Sequence, residues 1–274
     1  MSRTFFKFFK KLFDFIAKSP TPFHAVKTVC ETLSEKGYTE LCESGKWNLE
    51  AGKGYYVTRN CSSVISFRIP DGDFSGFMLT ASHCDSPCFK IKENAELPDN
   101  YYVRLSTEGY GGMLCSTWMD RPLAVAGRIT VRTENGISVR LVDTKEPCAI
   151  IPNVAIHMNR EANKGMNYNA AVDMLPLFAE GEEKGSFKTL IAKTAGCDEK
   201  DIITTDLIVY NPQFGTEWNG FISAPRLDDL QCAFGSLTAY MESAECLVVS
   251  SSIPVYALFD NEEVGSQTKQ GAAS

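Results

Sequence analysis

The chain has 274 residues, with 27 basic against 34 acidic side chains, a formal net charge of −7, and 44% hydrophobic residues. That length allows one large domain or two ordinary ones, in the composition range of globular rather than disordered proteins. The negative balance argues against non-specific nucleic-acid binding, which needs a basic footprint to release phosphate counterions, and leaves peptides and small molecules open as substrates.

The opening stretch MSRTFFKFFKKLFDFIAKSP puts Phe6, Phe9, Leu12 and Phe13 on one stripe. It predicts an amphipathic helix packed on the domain. Lys7, Lys10 and Lys11 break up the apolar run and no small-residue cleavage site follows, so it does not read as a secretory signal. No apolar run reaches the roughly 18 residues of a membrane span. The ten cysteines include no CxxC pair, so reduced thiols in the cytosol are expected, with no membrane partner. SPTPFHAV then starts a second helix, with His24 as a structural helix-start residue. Residues 55–68 alternate as strands do, and SGFMLTASH, Ser75 to His83, reads as a buried strand ending in polar residues.

From about 94 to 221 the character changes. Short β-patterned pieces (YYVRLS, AVAGRITVR, GISVRLV) alternate with Gly-rich turns, and a polar, lysine-rich section from Glu161 to Asp201 holds one helical pattern. After Pro225, Leu230, Phe234, Leu237 and Tyr240 or Met241 form a helix face that Asp228 or Asp229 could cap. CLVVSS and IPVYALF follow as buried strand material, ending at Asp260-Asn261-Glu262-Glu263. The expected fold is α/β, with one domain over residues 1–93 that resumes over 222–274. A β-rich module at 94–221 interrupts it.

Three clusters can carry chemistry. In His83-Cys84-Asp85 the His and Asp lie on one side of an extended backbone, so the carboxylate can hold one ring nitrogen and leave the other for a metal. Alone, such a pair is more often structural. Asp228-Asp229, ahead of an amphipathic helix, reads by itself as a cap. Glu262-Glu263 closes a strand, where adjacent carboxylates repel unless a cation or solvent relieves them. Carboxyl ends of strands form the ligand crevice of open α/β sheets. Taken together, a histidine and several carboxylates suit Zn²⁺, Mn²⁺ or Co²⁺, with one glutamate left over as a general base.

In this order the blocks ASHCDSPCFKIK, GGMLCSTWMDRPLAVAGRI, IPNVAIHMNR, ISAPRLDDL and FDNEEVGSQTKQGAAS resemble those of the M18 aminopeptidases, from about residue 14 onward. The resemblance implies a metallopeptidase-type mixed sheet flanked by helices, with an inserted β-rich dimerisation domain. It implies an aminopeptidase that removes acidic N-terminal residues from peptides, using two zinc ions per site (Mn²⁺ or Co²⁺ being possible substitutes), and a homo-oligomer formed through the inserted domain. His83 would bind one metal, Asp228 would bridge the two, and Glu263 would bind the second. Asp85 would orient His83, Glu262 would be the general base, and His157 would serve a neighbouring subunit's site. Family members continue past GAAS with further ligands, so a C-terminally incomplete catalytic domain is expected. The alternative is a catalytically inactive fragment acting as an assembly or binding module.

Overall fold

The computed structural model describes residues 3–181, 184–246 and 251–274, the side chains of residues 3–6 and 244–246 excepted. Two compact units emerge, residues 1–86 with 213–274 and residues 87–212.

The first unit opens with helices α1 (Arg3–Lys18) and α2 (Pro22–Glu35). Leu12 and Phe13 of the expected stripe are buried, Phe9 packs partly against the same core, and Phe6 falls outside the described side chains. Thr21 caps α2: its hydroxyl accepts the backbone N–H of His24 and lies 2.8 Å from His24 Nδ1. Strands β1 (Thr39–Glu40), β2 (Gly54–Arg59), β3 (Ser63–Arg68) and β4 (Gly76–His83) follow.

The chain then builds the second unit from β5 (Cys88–Pro98), β6 (Tyr102–Tyr110), β7 (Pro122–Thr133), β8 (Gly136–Asp143) and β9 (Ala149–Ile150). The short helix α3 (Ala170–Asp173), β10 (Leu177–Glu180), α4 (Ser186–Ala195) and β11 (Ile202–Tyr210) complete it. The strands run in the order β11-β5-β6-β10-β9-β7-β8, and β11 also pairs with β7, so the sheet closes on itself with β8 as an appendage. Phe89, Leu105, Ile129, Ile151, Leu207 and Val209 fill it. Gly127 adopts a φ of +154°, and a Cβ there would run into the Asp206 carbonyl of the paired strand.

Returning to the first unit, β12 (Thr216–Trp218) and β13 (Phe221–Ser223) form a hairpin, followed by α5 (Leu227–Cys246) and β14 (Ser252–Phe259). IPVYALF lies in β14, whereas residues 247–250 of CLVVSS lie outside the described residues. The sheet runs β1-β2-β3-β14-β4, with β14 antiparallel to β3 and parallel to β4. Val26 and Leu33 of α2, Leu12 and Ile16 of α1, and Leu230 and Leu237 of α5 pack with Val64, Tyr256 and Leu258 of the sheet. This is the expected α/β class with a mixed sheet.

Two expectations need correcting. The units divide at 86/87 and 212/213, not at 93/94 and 221/222. Phe89 and Ile91 already pair with Val209 and Leu207 and are buried in the second unit's core, while Ile222 packs on the first unit's core. Nor is β4 buried throughout. Phe77, Met78 and Leu79 are exposed because β4 is the edge of its sheet, paired among the described residues with β14 alone.

Leu258, fully buried among α1, α2 and α5, should lose about 2–5 kcal/mol of stability on replacement by Ala. Glu35→Ala, at an exposed position near the end of α2, should stay within about 0.5 kcal/mol of the parent. Urea unfolding followed by circular dichroism measures both.

Candidate metal centre

Parallel pairing sets Phe259 of β14 beside His83 of β4, so the carboxyl ends of the two strands lie together. Cys84 extends the pairing, its N–H donating to the Phe259 carbonyl at 2.9 Å. Beyond β14, Asn261 at φ +64° turns the chain into the single 3-10 turn Glu262–Val264. Thr268 Oγ1 donates to Asn261 Oδ1 at 2.7 Å and fixes that turn.

Asp85 joins the two ends. Its carboxylate is 2% exposed and accepts the backbone N–H groups of Glu262 at 3.2 Å and Glu263 at 3.1 Å. It also stands 3.3 Å from His83 Nδ1, which is 3.1 Å from the Asp85 carbonyl oxygen as well. With two acceptors facing Nδ1, that nitrogen carries the hydrogen and Nε2 turns the other way.

Nε2 faces carboxylates. Asp228 Oδ1 is 3.4 Å away, Glu262 Oε2 3.8 Å and Asp229 Oδ2 3.9 Å. Asp228 and Asp229 stand at the head of α5 with non-helical dihedrals and a cis peptide between them. Asp228 is 86% exposed; Asp229 is mostly buried and accepts the His83 backbone N–H at 3.1 Å. Ser86 donates to the Asp228 carbonyl. Glu263 is half-buried within reach of the same charges.

Burial alone would push the His83 imidazole down, but the Asp85 hydrogen bond and the charges of Asp85, Asp229 and Glu262 outweigh it and raise it to about 9. Burial and the charges of Asp85, Glu262 and Asp228 push the Glu263 carboxyl up against the pull of His83. The Cys232 thiol, hydrogen-bonded to Asp229, is pushed up to about 11. Neighbouring carboxylates contribute to all three shifts, after burial at Glu263 and the Asp229 hydrogen bond at Cys232.

The donors suit zinc in kind: one imidazole and several carboxylates. Ligands about 2.0–2.1 Å from a tetrahedral zinc stand about 3.4 Å apart. The His83–Asp228 pair has that spacing, and Glu262 and Asp229 stand slightly wider. Among the described residues no three donors already close around a common point.

Residues 15–274 match the family model described as aminopeptidase I zinc metalloprotease (M18). The chain belongs to the M18 family. It is 44% identical to a probable M18 family aminopeptidase 2 of Clostridium novyi and 43% identical to one of Clostridium acetobutylicum. Each match covers 98% of this chain but 64% of the relative, so the chain spans less than two thirds of those proteins. Among solved structures it is similar to a chain in the cryo-electron microscopy structure of the Ape4 and Nbr1 complex. That likeness has a TM-score of 0.92 at 32% identity, covering 96% of this chain and 56% of that one. It is also similar to the Saccharomyces cerevisiae mApe1 dodecamer, with a TM-score of 0.81 at 28% identity, covering 96% and 62%.

Of the expected site residues, Asp85, Asp228 and Glu262 stand within 4 Å of the His83 ring, and Glu263 lies within reach of the same charges. His157 lies in the 87–212 unit, in an exposed turn flanked by exposed Ile156 and Met158. Sequence reasoning passed over Asp229, weighing it only as a cap. The available signal was its adjacency to Asp228, but which carboxylate reaches His83 depends on backbone dihedrals that side-chain periodicity does not carry.

Asp85→Ala should cost about 1–3 kcal/mol, since it strips an acceptor from two backbone N–H groups and a ring nitrogen. Asp228→Ala, at a solvent-exposed carboxylate, should change stability by about 0.5 kcal/mol or less. Equal effects in denaturant unfolding would show that Asp85 does not join the two strand ends.

Proposed function

We propose that this chain carries the metal-binding and proton-transfer groups of an aminopeptidase site. The observation that carries the reading is His83, held from behind by buried Asp85, with Nε2 turned toward Asp228, Asp229 and Glu262. His83 would hold one zinc, Asp228 would be shared between two, and Glu263 would hold the second; Mn²⁺ or Co²⁺ could substitute. Zinc bound there supplies Lewis-acid polarisation of the scissile carbonyl and lowers the pKa of water. Asp85 fixes the ring tautomer and orientation of His83. Glu262, half-exposed beside the cluster, takes the proton of the attacking water on its carboxylate and hands it to the leaving amine. The substrate class is a peptide with a free N-terminus. An acidic first residue is supported by the resemblance of the motif blocks.

Self-association through the 87–212 unit is part of this reading. A similar solved structure is a dodecamer, and this unit exposes Val154, Ile156 and Met158 on one loop and Ile137 and Val139 on β8. Isologous contacts of that kind bury apolar surface a monomer leaves wet. A cytosolic setting is consistent with the nine free thiols among the described residues, none of whose helices is long and apolar enough to cross a membrane. A second reading, a non-hydrolytic assembly or binding module, is favoured by the open donor set.

Zinc titration by calorimetry, with assays on chromogenic substrates bearing N-terminal Asp, Glu or Leu, separates the readings. Expected is zinc binding that His83→Ala abolishes and Asp85→Asn weakens about 10–100-fold. Slow zinc-dependent turnover preferring acidic residues should accompany it. Glu262→Gln should then lower turnover about 10²–10⁴-fold and leave zinc affinity intact. Zinc binding without turnover would favour the assembly module, and no His83-dependent zinc binding would remove the metal site altogether.

Light scattering tests the association. The parent chain should run as an oligomer, and Ile156→Asp with Met158→Asp should shift it toward the monomer mass. An unshifted mass would place the interface elsewhere.

A further inference from the structure

The turn that carries Glu262 and Glu263 has no hydrophobic anchor of its own. Among the described residues, none from 261 to 274 joins a hydrophobic core, and Val264 is exposed. Polar contacts therefore set its position. Asp85 holds the front of the turn through the N–H groups of Glu262 and Glu263. Residues 268–270 hold its back.

Each of these residues ties the chain back toward the site or onward to a side chain outside the loop. Thr268 Oγ1 donates to Asn261 Oδ1 at 2.7 Å and accepts the Gln270 N–H at 3.3 Å. The Gln270 carbonyl accepts the N–H of buried Asp260 at 3.0 Å. Gly271 then passes so close to the turn that a Cβ there would run into the Ser266 carbonyl. The Ala273 N–H donates to the same carbonyl at 3.3 Å. Residues 268–271 thus lie along residues 260–266 as a strut, and moving the strut moves the turn.

The strut is held in turn by Arg59, the last residue of β2. Its Nη1 donates to the Lys269 carbonyl at 3.1 Å and lies 3.5 Å from Ser274 Oγ. Glu43 aims the guanidinium: Nε lies 3.0 and 3.1 Å from its two carboxylate oxygens, and Nη2 donates to Oε1. That fork leaves Nη1 for the carbonyl, an arrangement a lysine cannot reproduce. The Arg59–Glu43 pair is half-exposed, at 44% and 50%, so its contribution to global stability is small and its effect is local. We propose that Arg59 is a positioning residue for the candidate metal centre, holding the 268–270 strut and through it the turn that presents Glu262 and Glu263. The proposal rests on the metal-centre reading, and experiment can separate the two.

Backbone hydrogen exchange and zinc calorimetry on the parent, Arg59→Ala and Arg59→Lys chains test it. In Arg59→Ala the amides of residues 262–266 should exchange about tenfold faster, while the amides of β14 and the urea midpoint keep the parent's values. Zinc should bind about tenfold more weakly. Arg59→Lys keeps one donor for the Lys269 carbonyl but loses the Glu43 fork, and should recover part of both losses. Unchanged exchange at 262–266 would overturn the proposal. So would acceleration spread equally over β14, the mark of a merely structural residue, or parental zinc affinity in Arg59→Ala. His83→Ala separates the two readings. Where the parent binds no zinc through His83, the metal-centre reading fails, and the exchange of residues 262–266 alone decides whether Arg59 positions the turn.

Discussion

The buried carboxylate of Asp85 is the interaction on which the rest of the centre depends. It accepts two consecutive backbone N–H groups 177 and 178 residues away in sequence and, on its other side, fixes a ring nitrogen of His83. An entire folded unit is inserted between these partners. Bringing them together is possible only because β4 and β14 are parallel neighbours whose registered ends place His83 at Phe259. Closing so long a loop costs only slightly more than closing a shorter one, because the entropy grows with the logarithm of length. The insertion's own closed sheet also holds its two ends on neighbouring strands, β5 and β11.

Charge explains the shape of the cluster. A buried carboxylate is tolerated where several donors serve it, and Asp85 has them. The other acids are relieved in different ways. Asp228 and Glu262 reach solvent, Asp229 takes the His83 backbone N–H, and Glu263, half-buried, holds its proton more tightly than a free glutamate. The His83 imidazole is raised by the acids around it, and the Glu263 carboxyl by its burial first and by those acids second.

Much of this was legible in the sequence because side-chain periodicity and strand endings are local properties. The helix faces of α2 and α5, the β2–β3 pair and the switch to β-patterned pieces all follow from spacing. The motif blocks singled out His83, Asp85, Asp228, Glu262 and Glu263, which the fold gathers at the ends of β4 and β14 and the head of α5. What periodicity could not give was position within the sheet. SGFMLTASH has the composition of a buried central strand, yet β4 lies at the edge, and strand order is a tertiary property. The boundary near 94 failed for the same reason: β5 reads as a continuation of β4 until its partners, β6 and β11, are known. Asp229 was passed over because helix-start acids look alike until the dihedrals decide which one points back to the sheet.

The exposed edge and the candidate metal centre share one strand, and that links them physically. Phe77 and Leu79 lie toward the start of β4 and His83 is its last residue, so the three are joined by a single pleated ladder. At its end, His83 is flanked by β14, by the carboxylates at the head of α5 and by Glu262 of the turn that follows β14. The orientation of the His83 ring is only as fixed as the backbone that bears it. Asp229 stands about half an ångström wider from His83 than two ligands of one tetrahedral zinc would. Geometric precision of that order is what separates a loose cluster of acids from a working site.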